Sequence, residues 1–471
     1  LQTIAGTMHF DDAMLPFEAS TVLNDNSLTP YLAFFPQLKD IPITGKATGR
    51  VELSGTLRQP NSSGQPEFSS RGLSGSAQFS QLSMTIQDTP LAAAEPVSIK
   101  FNAREVVFEN AKFAGSGSNM AIAGTKALAA DAVNDLSING RISLNLVNLF
   151  TKDTFYAGLA DVAVRITGQN TQSRLSGTAS TENASFAAFI GTDRLTLDRI
   201  RARVIFSSDQ ADIENMSGYL GGGKFTAGGG AILNGLSVQS FLLSLNGSNV
   251  TVPLPQDFIT TGDARIDITG IRGGSANVLQ VTIGGRVYAR RSLYSHDIDL
   301  ANVIGARHER PISSGPSSIA PPRFDLVIEG RDALTVRNNI ADLTASVSLV
   351  LTGDANEPRL SGRITANSGT MFYRNDRYDI QRGVLEFPPD TTIGPVIDLQ
   401  AESEINGYQI FVNLSGPLKD TERLTANVRS VPALPSDDVV SLITTGSLAN
   451  TAGGIPTLAQ SGINTAAEII T

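Results

Sequence analysis

The sequence predicts an all-β chain, a meander of many strands added one after another, with helical text confined mainly to its C-terminus. Three observations predict it. Glycine is abundant, 44 of 471 residues, and falls between short alternating runs as turn punctuation does. A period-two phrase closed by Ser/Thr-Gly recurs: GRVELSG at 49–55, DVAVRITG at 161–168, DARIDITG at 263–270, SVSLVLTG at 346–353 and the longer NGYQIFVNLSG at 406–416. The spacing between copies is irregular, which argues against a solenoid of fixed turn length.

The elements follow in order. Residues 28–38 (LTPYLAFFPQL) have room for a turn or two of helix, interrupted by Pro30 and Pro36. In each recurring phrase, alternation puts one set of side chains on one sheet face. That set is Val51 and Leu53; Val162, Val164 and Ile166; Ala264, Ile266 and Ile268; Val347, Leu349 and Leu351. The opposite set is mostly Glu, Arg, Asp, Ser and Thr, with Arg165, Arg265, Asp267, Ser348 and Thr352 expected toward solvent. Such strands have one dry and one wet face. Several phrases are followed, after a turn, by a new alternating strand: GTASTENASF from Gly177, GGRVYARRSLY from Gly284, GRITANSGTMFY from Gly362. Residues 307–323, rich in Pro, Ser and Gly, predict a flexible excursion. Residues 436–445 (SDDVVSLITT) predict a short helix: Ser436 can cap it, Asp437 and Asp438 suit the positive end of its dipole, and Gly446 can stop it. Residues 454–471 predict a second apolar helix. The expected division is therefore a β region over 1–435 and a short helical, apolar closing segment over 436–471.

Composition removes several function classes. The net charge is −9 with no run of Lys and Arg. The nearest approach, RVYARR at 286–291, alternates like a strand, so no nucleic-acid partner is expected. Cysteine is absent, which excludes a disulfide scaffold, a thiolate zinc site and a cysteine nucleophile. No run of about 20 apolar residues is present to cross a bilayer as a helix. The chain starts in strand-like text without Met or a signal peptide, and is expected to be a fragment whose N-terminus lies upstream. Residues 218–224 (GYLGGGK) satisfy GxxxxGK, but Phe225 stands where a magnesium-ligating Ser or Thr belongs, and strand text follows instead of a helix. A glycine-rich turn is expected there. His9, His296 and His308 have no ligand-like spacing, Asp437 and Asp438 fit a helix start better than acid–base work, and Tyr288, Tyr294, Tyr373 and Tyr378 fit cross-strand packing. No catalytic residue, metal or cofactor is expected, and the chain is not expected to be an enzyme.

The second half resembles the C-terminal region of the TamB family, the inner-membrane-anchored component of the bacterial translocation and assembly module, within the AsmA-like, bridge-like proteins of the cell envelope. The resemblance is carried by VTIGGRVYARRSLYSHDIDL (281–300), RFDLVIEGRDALTVRNNIADLTASVSLVLTG (323–353), PRLSGRITANSGTMFYRNDRYDIQRGVLEF (358–387), PVIDLQAESEINGYQIFVNLSG (395–416) and, most specifically, RSVPALPSDDVVSLITTG (429–446). It runs from about Gly262 to Gly446 and continues in rhythm from Leu1 to Gly262. It is expected to depart from the family in stopping at Thr471, where family chains commonly continue into a further β-rich tail, with the inner-membrane anchor expected upstream.

The resemblance implies a long curled β-sheet forming an elongated open groove with an apolar interior. Its lining would be Val51, Leu53, Val162, Val164, Ile166, Ile266, Ile268, Val347, Leu349 and Leu351, and its natural guests phospholipid acyl chains. Each methylene taken from water contributes about 0.8 kcal/mol, and apolar contact is non-directional, so a lipid can slide. The implied function is a periplasmic lipid conduit between the inner and outer membranes, whose intact form meets an outer-membrane barrel partner of the TamA type. The rival implication is an assembly factor for outer-membrane β-barrels, using sheet edges as strand templates. A secreted β-solenoid adhesin is disfavoured by the irregular spacing, and a β-helix enzyme by the lack of a clustered acidic site. Val439, Val440, Leu442 and Ile443 are expected to shield one end of the groove, as cap or gate, with 454–471 packed beside them.

Overall fold

The computed structural model describes residues 4–448, apart from 33–41, 62–63, 70–71, 87, 151–153, 191–192, 236, 253–257, 275–276, 298–319, 375, 390–393, 419 and 421–422. The fold is all-β, with 77% of the described residues in strands. Twenty-five strands belong to one mixed sheet, and Arg58–Pro60 with Pro66–Phe68 makes a separate two-stranded ladder. The 28–38 text yields one short helix, Thr29–Leu32, and its remainder lies outside the described residues. So do 307–319 of the expected excursion, and 454–471.

The chain divides into two compact units. The first comprises Leu1–Phe189, Thr196–Tyr219 and Thr226–Leu243. Its strands pair antiparallel, largely in chain order. One register row shows the consequence. It runs Thr21, Val51, Ala77, Ile99, Phe108, Gly124, Leu136, Ile166 and Leu175 across nine strands. Residues directly opposite one another share a face, so period-two text becomes a continuous apolar surface. Register shifts fall between Leu23 and Asn26, Thr48 and Gly49, Ser98 and Ile99, and Ile122 and Gly124. A bulge bends its strand and increases its twist. Around these bends Leu23, Ala47, Leu82, Val97, Ala111 and Phe113 are buried together, with Phe79, Met84, Phe108 and Met120 packed on them.

One polar knot interrupts this unit. Asn134 is 1% exposed. Its Oδ1 accepts from the Ala127 N–H at 2.9 Å and from Lys126 Nζ at 3.0 Å, and its Nδ2 donates to Ser173 Oγ at 3.0 Å. Lys126 Nζ also donates to the Ala127 carbonyl and to Asn170 Oδ1, each at 2.9 Å. Burial pushes the Lys126 pKa down, and three acceptors satisfy the ammonium, as a buried polar group requires.

The second unit comprises Ile190–Leu195, Leu220–Phe225 and Ser244–Thr471. Strands Phe258–Gly273, Val278–Tyr294, Arg323–Arg337, Ala341–Asp354, Pro358–Tyr373, Asp376–Phe387, Val396–Ile405, Tyr408–Pro417 and Thr425–Val431 pair in chain order. All these pairings are antiparallel except that of Val278–Tyr294 with Arg323–Arg337. The GYLGGGK segment supplies the turn between strands Gln210–Leu220 and Gly223–Asn234. Gly221 and Gly222 sit there at φ 55° and 88°, where only glycine is unstrained. With a strand on both sides, it is no phosphate loop opening a helix.

Candidate functional site: an apolar face and the helix that closes one end

In the second unit the predicted lining residues meet across strands in register. Ala264, Val287, Ile328, Leu349 and Gly362 form one row. Ile266, Gly285, Leu326, Leu351 and Leu360 form the next, and Ile268, Ile283 and Phe324 a third. Val347 continues through Ile364 and Leu385 to Ile397. In the first unit, Val164 stands opposite Ile138 and Gly177, Val162 opposite Gly140 and Ala179, and Leu53 opposite Ala19 and Gly75.

The burial of these residues is uniform. Val51, Leu53, Val162, Val164, Ile166, Ile266, Ile268, Val347, Leu349 and Leu351 are all half-buried. Their neighbours Glu52, Asp161, Arg165, Arg265, Asp267 and Ser348 are exposed. Thr352 differs from expectation in being half-buried. It stands in register between Asp325 and Arg359, near the strand end, among longer side chains. The exposed face carries cross-strand ion pairs, among them Arg141–Asp161 at 2.9 Å, Arg165–Asp135 at 2.8 Å and Arg290–Asp263 at 2.6 Å. The Arg165 and Arg290 guanidiniums hold the Asp135 and Asp263 carboxyls below the usual carboxylate range.

A seam of register shifts crosses the face. It falls between Thr261 and Gly262, Tyr288 and Ser292, Gly330 and Leu334, Thr344 and Ala345, and Ile380 and Arg382. The buried residues along it are mostly small, Ala289, Ala333 and Ala345, the last fully buried, with Ser292 and the larger Leu334 buried beside them. A side chain at Gly330 would meet the Ala333 Cβ at 2.7 Å, and one at Gly383 the Ala366 Cβ at 3.0 Å. The strands bend here, and glycine or alanine is what the inside of the bend accepts.

The helix spans Ser436–Thr445, as its sequence predicts. Its start differs from expectation. Ser436 is the first helical residue and makes no cap; Pro435 holds the N-cap position, with no side-chain hydrogen bond. The Pro435 carbonyl instead accepts from the Asp438 and Val439 N–H groups at 3.0 and 3.1 Å. Proline fits this place because the chain enters extended. Ser430 secures the entry: its Oγ donates to the Pro432 carbonyl at 2.9 Å and accepts from the Leu434 N–H at 3.0 Å. Asp437 and Asp438 occupy the first turn, the positive end of the dipole. Gly446 ends the helix at φ 74°, its N–H bonded to the Leu442 carbonyl at 3.0 Å. Asn406, in the Asn-Gly turn between the strands Val396–Ile405 and Tyr408–Pro417, donates to the Gly446 carbonyl at 2.8 Å.

Val439, Leu442 and Ile443 are buried at 0–1% exposure against Tyr378, Ala401, Ile405 and Ile410. Val440 is half-buried. Met371, Tyr373, Tyr408, Val412, Val428 and Leu434 surround the contact. Burying each large aliphatic side chain contributes about 1.5–3 kcal/mol, which is what holds so short a helix in place. Tyr378, expected from the sequence to pack across strands, is 6% exposed within this cluster. Its hydroxyl has no hydrogen-bond partner among the described residues, and burial, reinforced by the Asp376 charge, pushes its pKa up. The sequence marked Tyr378 only as one of several tyrosines near strand turns; nothing local distinguishes it from Tyr288, which is exposed. Phe258 and Tyr294 do pack, with ring centroids 6.2 Å apart.

His9 and His296 are exposed, and His308 lies outside the described residues. No group of His, Asp and Glu among the described residues is placed to hold a metal ion. No helix among them is long and apolar enough to cross a membrane.

The model of the TamB C-terminal domain matches residues 212–470, more than half of the chain. The chain belongs to the TamB family. The match begins N-terminal of Gly262, where the resemblance by motif starts, and takes in the closing helix. It assigns the chain to the translocation and assembly module and to an envelope role. Comparison with curated proteins and with solved structures returns no significant match.

Proposed function

We propose that this TamB chain is a stretch of lipid conduit that shields acyl chains as phospholipid passes between the inner and outer membranes of a diderm envelope. The observation that carries the reading is the uniform half-burial of the ten lining residues. In a packed sandwich the inward residues of both sheets interdigitate and disappear from solvent. Here Tyr378, Ile405, Ile410, Val439, Leu442 and Ile443 are buried together at the helix, and Phe225, Val250, Leu279 and Leu334 are buried elsewhere in the second unit, while the rows through Leu349 and Ile266 stay partly open. A wall of this kind gains energy from any apolar guest laid along it and requires no reacting group. The test is photo-crosslinking at paired positions in the chain as purified with its lipids. A probe at Leu349 is expected to label phospholipid and one at Ser348 is not; equal labelling removes the reading.

A second reading, barrel assembly by strand templating, is favoured by one observation. Thr425–Val431 is hydrogen-bonded on one side, to Tyr408–Pro417, among the described residues, and such an edge can accept a strand. Site-specific crosslinks from Ala426 or Val428 to an outer-membrane barrel protein would support it, and their absence alongside lipid labelling at Leu349 would exclude it.

A further inference from the structure

The closing helix sits on the continuation of the face that the proposed function assigns to acyl chains. Register shows this directly. Val347, Ile364, Leu385 and Ile397 stand opposite one another in turn. Along Val396–Ile405 the register with Tyr408–Pro417 has no shift, so Ala401 and Ile405 lie on the same face as Ile397. Those two residues lie under Val439, Leu442 and Ile443. The helix therefore occupies surface of the kind an acyl chain would occupy. Outside this apolar contact it is tied at its two ends by short polar links, Ser430 to Leu434 and Asn406 to Gly446.

The interface has a defect for a permanent cap. The Tyr378 hydroxyl is buried in it without a partner among the described residues. A hydroxyl taken from water and left unpaired weakens the closed state, whereas phenylalanine would fill the same volume without that penalty. A hydroxyl retained there is accounted for if another state gives it an acceptor. A glycerophospholipid brings one, since its ester carbonyls lie where its acyl chains begin.

We propose that the helix Ser436–Thr445 is a lid that acyl lipid displaces, and that the uncovered Tyr378 hydroxyl then donates a hydrogen bond to an ester carbonyl of that lipid. This rests on the acyl-face reading above and deepens it by naming the end of the face where the polar part of the lipid is held.

The test uses the 471-residue chain and its Tyr378→Phe variant. Each also carries Val440→Cys labelled with an environment-sensitive bimane, a unique label because the sequence has no cysteine. The ligands are vesicles of dioleoyl phosphatidylglycerol bearing a fluorescent acyl chain, and hexadecane, which has no ester. With the native tyrosine, the phospholipid is expected to bind and shift the bimane emission toward that of a water-exposed dye. Tyr378→Phe is expected to raise the urea midpoint and to weaken phospholipid binding on the order of fivefold more than hexadecane binding, the loss of one neutral hydrogen bond, since the more stable closed state weakens binding of both ligands alike. A lower urea midpoint in Tyr378→Phe would show that the hydroxyl is already engaged and overturn the proposal. Phospholipid affinity that falls no more than hexadecane affinity would overturn the ester contact, and bound lipid with an unmoved bimane signal would overturn the lid. If the chain with native Tyr378 takes up neither ligand, the acyl-face reading itself fails, and this proposal with it.

Discussion

The two units solve one physical problem differently. Both carry register shifts on successive strands, which bend and twist a strand, and both set apolar residues opposite one another in rows. The first unit fills its bend with its own large side chains, Leu23, Leu82, Val97 and Phe113, supported by Phe79, Phe108 and Met120. The second has Ala289, Ala333 and Ala345 buried along its seam beside Leu334, and packs Tyr378, Ile405 and Ile410 under a helix in its C-terminal strands. A filled bend is a core, and removing its atoms costs stability. Where alanine is buried at a seam, added atoms overpack it. One strand pattern thus gives a core of large side chains around the register shifts of the first unit and half-buried apolar rows beside mostly small buried residues in the second.

Substitutions can break that comparison, the largest effect coming from the first unit. Phe113→Ala is expected to lower unfolding free energy by about 3–5 kcal/mol, the usual cost of truncating a buried aromatic, read by urea denaturation. A loss under about 1 kcal/mol would mean the first bend is not a packed core. Ile443→Asp comes next. A carboxylate cannot stay under the helix unpaired, so the helix should undock, at a cost of about 2–3 kcal/mol of burial. Hydrogen exchange is expected to lose protection over 436–445 while the strand 341–354 keeps its own; global unfolding would make the helix part of an indivisible core. Ala345→Leu should cost about 1–3 kcal/mol from overpacking and, more tellingly, reduce the phospholipid that co-purifies by mass spectrometry. Undiminished lipid would place the guest away from the bend.

The smallest expected effect is electrostatic, on the exposed face. The Asp135 carboxyl is held below its unfolded value, chiefly by its hydrogen bond from Arg165. Its contribution is therefore present above the unfolded carboxylate pKa, about 3.9, and is lost as pH falls through the lower folded value. Both side chains are well exposed, so solvent and salt screen most of it. Asp135→Asn should flatten slightly the fall of the melting temperature between pH 5 and pH 2, and 1 M salt should erase the difference from the parent chain. A fall as steep as the parent's at low salt would show that the pair contributes nothing.

What the sequence by itself determined is what short-range geometry controls. Period two set the strand faces, and the ten apolar residues of the recurring phrases are half-buried, most of them beside exposed polar neighbours. The bounds of the helix at 436–445 and its stop at Gly446 were legible, because apolar spacing, acidic first turn and a left-handed glycine all act within a few residues. The glycine turn in GYLGGGK was legible for the same reason. Tertiary structure alone decided the rest. Pro435 displaced Ser436 from the cap because Ser430, on the preceding strand, already holds the entry. The knot of Lys126, Asn134, Asn170 and Ser173 joins residues up to 44 positions apart, and no local pattern announces it. The bends arise from register shifts between neighbouring strands, and a register is a property of two strands, not of one. Tyr378 lost its hydrogen-bond partners only because a helix some sixty residues downstream closed over it, and burial of that kind is settled by packing between distant segments, which no window of sequence contains.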